Sequence, residues 1–252
     1  MNRIYGDSDV ESKLTAQSIS RNFSRQGLSN IAWALAVFGV YPPNLMQIIY
    51  QGLFGVGNEQ NPDHMNRIHG DSGLRLPAIT NLIQVQMAMD LDGSTHGLKL
   101  PDDFPNAWIA AEKAQNTLSW RTSKLQEDVS GALTRMGFEH VMEHVIAWKD
   151  TEILSIDIAN QENKIAIEVD GPTHFVMNLE KALINKRHGS KRTKDVDGTC
   201  KFDNMELNGS TILKHRMLEQ LGWKVIHIPF WEWNALGGDR KKQDEYCRQL
   251  LK

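Results

Sequence analysis

The stretch Lys164-Ile165-Ala166-Ile167-Glu168-Val169-Asp170-Gly171-Pro172-Thr173-His174-Phe175 decides the fold. Residues 165 to 169 are a short apolar run of strong β-preference, broken by one acid and closed by Asp-Gly-Pro, the pattern of a buried strand ending in a tight turn. A carboxylate inside such a strand is costly unless it is paired, hydrated or metal-bound. Glu168 and Asp170 stand two residues apart, so the pleat turns both to one face. His174 follows just past the turn. Two co-facing carboxylates and an imidazole at the end of a core strand mark a candidate site. The bland alternatives are an Asp-Gly turn with Gly171 at positive φ, and a Glu168 paired with Lys214 or Arg216 for the sake of the fold.

Around this strand the pattern is that of a small mixed sheet carrying helices. Ser123-Lys124-Leu125-Gln126 has capping-box spacing and opens a helix over Leu125, Val129, Leu133 and Met136, closed by Gly137. Val141–Trp148 and Ile153–Ile158 read as strands, and Asp157 lies in the second, eleven residues before Glu168. Thr211–Leu221 reads as an amphipathic helix, Trp223–Pro229 as another buried strand and Asp239–Leu251 as a charged helix. Trp231 and Trp233 form an aromatic corner, read as cover for the sheet with base stacking as the alternative.

The residues before 123 are helical in pattern. Leu28, Ile31, Ala32, Leu35 and Ala36 share one stripe. Trp33, Val37 and Phe38 extend the apolar surface, which predicts a helix buried on most sides and capped by Gly39. Pro42 and Pro43 open a second helix, Asn44–Leu53, with Leu45, Ile48, Ile49 and Leu53 inward. Further helices are predicted over 77–91 and about 105–118. The loop between residues 55 and 76 holds Met65-Asn66-Arg67-Ile68-His69-Gly70-Asp71-Ser72, nearly a copy of Met1 to Ser8.

The chain of 252 residues, 40% hydrophobic and 23% charged, has the composition of a soluble globular protein of one or two domains. A net charge of -3 excludes a wholesale polycation, so contact with nucleic acid would come from local patches. One such patch is evident. Residues 181–201 carry seven Lys and Arg, Lys186, Arg187, Lys191, Arg192 and Lys194 among them, against two Asp. The two cysteines, Cys200 and Cys247, match neither a zinc spacing nor a disulfide framework and favour a reducing compartment. No apolar run reaches the ~18 residues of a membrane span. The first residues are neither a signal nor a transit segment, as expected of a cytosolic protein or of a chain without its original N-terminus.

The C-terminal half, about residues 123–252, resembles a RAP domain. The matching residues are Ile165 through Pro172 with His174-Phe175, Thr211 through Lys214 with Leu218, Leu221-Gly222-Trp223-Lys224-Val225, and the Trp231/Trp233 corner. Gln26–Leu53 is similar to one unit of octotricopeptide or FAST-kinase-like helical arrays. The resemblance implies an α-helical repeat-like segment at 1–122 and a restriction-endonuclease-like α/β RAP domain at 123–252. It further implies RNA binding in a mitochondrion or chloroplast: maturation or stability of rRNA or mRNA, ribosome assembly or translation. RAP domains resemble the PD-(D/E)XK nucleases, whose pattern makes Asp157, Glu168 and Asp170 the metal ligands. His174 and Lys214 would complete the catalytic group, with Mg²⁺ needed for cleavage and no cofactor for binding. The lysine expected two residues after Glu168 is replaced by Asp170, and Lys214 is its candidate substitute. Lys214 and Arg216 join the basic stretch as expected RNA contacts. The rival readings are a metal-dependent endoribonuclease and a structural component of a ribosome or other ribonucleoprotein.

Overall fold

The computed structural model describes residues 22–54, 76–101, 104, 122–149, 151–178, 202 and 204–252. The basic stretch 181–201, the helix expected over about 105–118, the loop 55–75 and the repeated octapeptide lie outside the described residues. By internal contacts the chain divides into two compact units, Met1–Ser119 and Trp120–Lys252.

In the first unit, α1 (Arg25–Phe38), α2 (Pro43–Phe54) and α3 (Leu76–Leu91) are the described helices. Ser24 caps α1 by accepting from the Gly27 N–H, and Gly39 closes it with φ 66°, a left-handed conformation that favours glycine. α1 buries Leu28, Ser29, Ala32 and Ala36. The expectation of burial on most sides fails: Phe38 is 78% exposed and Ile31 is exposed as well. α2 and α3 pack against α1 along the buried stripe. α2 buries Met46, Ile49, Tyr50 and Leu53, so Leu45 and Ile48, expected inward, are only half-buried. Cross-helix hydrogen bonds fix the packing: Trp33 Nε1 to Gln84 Oε1, Tyr50 Oη to Gln86 Oε1 and Asn81 Nδ2 to Asn30 Oδ1, each 3.1 Å.

The second unit contains a four-stranded sheet in the order β1 (Val141–Trp148), β2 (Thr151–Asn160), β3 (Ile165–Asp170), β6 (Lys224–Pro229). The first three strands run antiparallel in succession, and β3 pairs parallel with β6 along its whole length. That parallel pair requires a crossover, supplied by α5 (Gly209–Gln220). Helix α4 (Lys124–Arg135) begins with the expected capping box: Ser123 Oγ accepts from Gln126 N–H and Gln126 Oε1 accepts from Ser123 N–H.

The pleat sorts the side chains into two faces. Ile158, Ile167, Val169, Ile226 and Ile228 point to a core shared with Val129, Ala132 and Leu133 of α4. Trp233 of α6 (Phe230–Ala235) and Cys247 of α7 (Arg240–Leu250) complete that core. Full burial of each large apolar side chain contributes about 1.5–3 kcal/mol. The opposite face carries the alternate residues, Glu168 and Asp170 on β3 and His227 on β6. α5 lies against that face, burying Thr211, Leu213, Met217 and Leu218.

A second, two-stranded ribbon pairs β4 (Phe175–Met177) with β5 (Met205–Leu207). Neither of these three-residue strands is among those that the sequence pattern predicts. Asn178 N–H donates to Asn204 O at 2.7 Å and Asn208 N–H to His174 O at 2.8 Å, so both ends of the ribbon are closed. Among the described residues no helix is long and apolar enough to cross a membrane.

Candidate functional site

A cation from α5 reaches the acidic face of the sheet. Lys214, in the middle of α5, donates from Nζ to Glu168 Oε2 at 2.5 Å. Of the two basic partners open to Glu168 from sequence, it is Lys214 that meets it. Arg216 is half-buried elsewhere on the helix, its Nε closed off from solvent. Glu168 is 3% exposed and its Oε1 has no hydrogen-bond partner among the described residues. Burial pushes its carboxyl up, Lys214 pulls it back, Asp157 adds repulsion, and the result is about 7.

Asp157 reaches the same face from β2. Strand pairing between β2 and β3 ends at Ile158 and Ile167, and there Asp157 Oδ2 accepts the Val169 N–H at 2.8 Å. A side chain thus closes the ladder where the backbone stops. On β1, Glu143 is flanked by Met142 and His144, which pair with Ile158 and Ile156, so Glu143 stands opposite Asp157. Its φ of 51° is unusual for a residue inside a strand. Burial raises the Glu143 carboxyl and Asp157 raises it further, while Lys214 opposes both.

Asp170 is fully buried and faces two imidazoles. Oδ2 lies 2.5 Å from His227 Nδ1, and Oδ1 lies 2.9 Å from His174 Nδ1. The second approach is an ion-pair contact off the hydrogen-bond axis, which leaves Oδ1 without an aligned donor. Burial pushes the Asp170 carboxyl up, but the two histidines outweigh it and hold it below the ordinary carboxylate range. Contact with Asp170 raises His174 in turn, against the opposing effect of burial. Asp170 is therefore no turn cap. Gly171 has φ -71°, so the expected positive φ is absent; it instead precedes a 3₁₀ turn, Pro172–His174, that brings His174 back over Asp170.

Each predicted acid thus has a partner: Lys214 for Glu168, a backbone N–H for Asp157, two histidines for Asp170. Among the described residues no group of three or more His, Cys, Asp and Glu is placed to hold a metal ion. As arranged, these side chains do not fit a Mg²⁺ site built from all three carboxylates. Lys186, Arg187, Lys191, Arg192 and Lys194 lie outside the described residues.

Three side chains of the site carry no motif. His227 was hidden inside the apolar run of β6, where only the alternation of Ile226 and Ile228 would have turned it to the acid face. His215 meets His227 across α5, Nδ1 to Nε2 at 2.8 Å. Glu143 depends on the β1–β2 register, which composition does not give. The aromatic corner divides in two. Trp233 is core, while Trp231 is half-buried, 4.4 Å from the Phe175 ring and stacked at 4.7 Å on Phe202.

Residues 167–250 match the family model of the RAP domain. Over 239 residues, 95% of the chain, the sequence is 22% identical to a rice protein (Oryza sativa subsp. japonica) described as "RAP domain-containing protein, chloroplastic". The chain spans 31% of that relative's length. The family match bears on the C-terminal unit. The helical-repeat likeness of Gln26–Leu53 stays a resemblance of sequence.

Proposed function

We propose that the RAP domain at residues 167–250 is an RNA-binding module of organellar RNA metabolism, a nuclease-like fold kept for binding. The observation that carries this reading is the occupancy of the acidic face: Lys214, the Val169 N–H and the two histidines each meet a carboxylate oxygen from within the domain. The basic stretch 181–201 supplies what a binding surface needs, since phosphate contacts by Lys and Arg dominate affinity for RNA. It falls between β4 and β5, whose ribbon is rooted at His174 and Asn208. Trp231 with Phe175 and Phe202 offers an aromatic edge of the kind on which bases stack. The chloroplastic description of the rice relative supports an organellar setting, chloroplast or mitochondrion.

The test is anisotropy with single-stranded RNA across a salt series, in parallel with a cleavage assay in Mg²⁺ and Mn²⁺. Neutralising Lys186, Arg187, Lys191, Arg192 and Lys194 together is expected to weaken binding and reduce the slope of log Kd on log salt by up to about 3.5. Glu168→Gln is expected to leave affinity within about twofold. Metal-dependent cleavage abolished by Glu168→Gln would replace this reading with that of an endoribonuclease. Co-sedimentation with ribosomal subunits, with no affinity for free RNA, would favour the structural component.

A further inference from the structure

Away from the acidic face, a serine of α4 is joined to a histidine that stands just before β1. Ser130 Oγ lies 2.7 Å from His140 Nε2, and His140 Nδ1 lies 2.8 Å from Phe138 O. A carbonyl oxygen only accepts, so the neutral ring carries its proton on Nδ1. Nε2 is then the acceptor, and the Ser130 O–H donates to it. Both residues are half-buried, which leaves the pair within reach of solvent.

Two features of α4 set this hydroxyl apart. A hydroxyl inside a helix commonly donates to the carbonyl one turn back, as Thr134 does to Ser130 O at 2.9 Å. Ser130 instead directs its own hydroxyl to an imidazole. The next residue is Gly131, and Arg135 Nη1 stands 3.8 Å from the point its β-carbon would take. Arg135 is anchored through Nε and Nη2 to Asp244 and Gln243 of α7, so a held guanidinium lies beside the serine.

We infer that Ser130 is an activated nucleophile with His140 as its general base, and that its substrate class is the acyl ester. A hydroxyl within hydrogen-bond reach of a base, which a third group orients in turn, is the arrangement that acyl transfer to serine needs. Ser130 Oγ attacks the ester carbonyl carbon as its proton passes to His140 Nε2. The imidazolium, held by Phe138 O, returns that proton to the departing alkoxide; an alcohol leaves and the acyl group stays on Ser130. Water then attacks the acyl-serine by the same proton route, which releases the acid and restores the hydroxyl. Arg135 Nη1 supplies a cationic donor for the oxyanion of each tetrahedral intermediate. Phe138, whose carbonyl orients His140, also lines a cleft of about 380 Å³. Met136, Phe138 and Leu251 suit a short acyl chain there, with Arg248 and Lys252 beside them. Ser130, Arg135 and His140 all lie outside the family match at 167–250, and the inference is independent of the RNA reading.

The test treats the full chain with a fluorophosphonate probe and with p-nitrophenyl butyrate, and locates the adducts by tandem mass spectrometry. In the probe reaction Ser130 Oγ bonds to phosphorus, fluoride leaves and His140 takes the proton. Phosphonylation of Ser130 is expected, together with release of p-nitrophenolate from the ester. Ser130→Ala should abolish the adduct, and His140→Gln should slow its formation by about 100-fold or more, the contribution of a positioned base. Unfolding the chain in urea should abolish it as well. A folded chain without an adduct at Ser130, or one that forms as fast in His140→Gln, would overturn the proposal. Should His140→Gln not fold, labelling of Ser130 as fast in urea as in the folded chain would overturn it equally.

Discussion

Lys214 and Glu168, 46 residues apart in sequence, meet at 2.5 Å where α5 crosses the acidic face of β3, and the second oxygen of Glu168 is left buried without a donor. A buried carboxylate in that position resists ionisation. Its folded-state value of about 7 lies above its ordinary value of 4.5, so the folded state holds a proton that the unfolded chain releases between those limits. The stabilisation is fully present below about pH 4.5 and is lost as pH rises to about 7, to the extent of roughly 3 kcal/mol. Glu168→Gln should flatten that slope in urea denaturation performed at intervals between these pH values. An unchanged slope would place the titration elsewhere.

Lys214→Met removes the cation and leaves the carboxylate. Breaking a buried pair on one side costs about 3–5 kcal/mol when the remaining charge persists. Here Glu168 has an escape, since it can take up a proton. The loss should therefore be largest above pH 7 and small near pH 5, and denaturation at those two values measures the difference. Carbon-13 spectra of the Glu168 carboxyl should show its titration moved to higher pH.

Asp157 acts on the fold through one hydrogen bond, to Val169 N–H. Asp157→Ala orphans that amide and should cost about 1–3 kcal/mol, with faster hydrogen exchange at Val169. Asp157→Asn retains an acceptor and should recover most of the loss. If Ala and Asn behave alike, the contact with Val169 is not what matters.

The His174 contact with Asp170 carries its own pH signature. A raised histidine contributes stability that is complete below its unfolded value and lost as pH rises through the folded one. His174→Gln should lower Tm more at pH 5.5 than at pH 8.5. Equal losses at both pH values would make the residue a packing element only.

Ser123→Ala tests a feature read directly from sequence. Loss of the Ser123 Oγ arm of the capping box on α4, with the Ser123 N–H to Gln126 Oε1 arm retained, should cost about 0.5–2 kcal/mol by equilibrium denaturation, without effect on RNA affinity.

What sequence disclosed follows from how local each signal is. The capping box, the Gly39 cap and the apolar run of β3 are specified by neighbours in the chain, and they stand where the pattern puts them. The pairing of Lys214 with Glu168 was one of two candidates, because helical spacing offers a face but not a partner. Glu143 and the His215–His227 pair required the register of β1 on β2 and of β6 on β3, which only the assembled sheet fixes. The ribbon escaped notice because two three-residue strands far apart in sequence carry almost no periodicity. The overestimate of burial for α1 has the same root: apolar residues all round a helix ask for cover, and sequence does not say what supplies it.

The β4–β5 ribbon has a consequence for how this domain can vary. Its hydrogen bonds join Phe175–Met177 to Met205–Leu207 in a closed stem that is not part of the four-stranded sheet. The crossover helix and the four-stranded sheet take their hydrogen bonds outside that stem. The stem is a natural seam for grafting, one at which related chains are free to diverge in length and charge while keeping the same sheet.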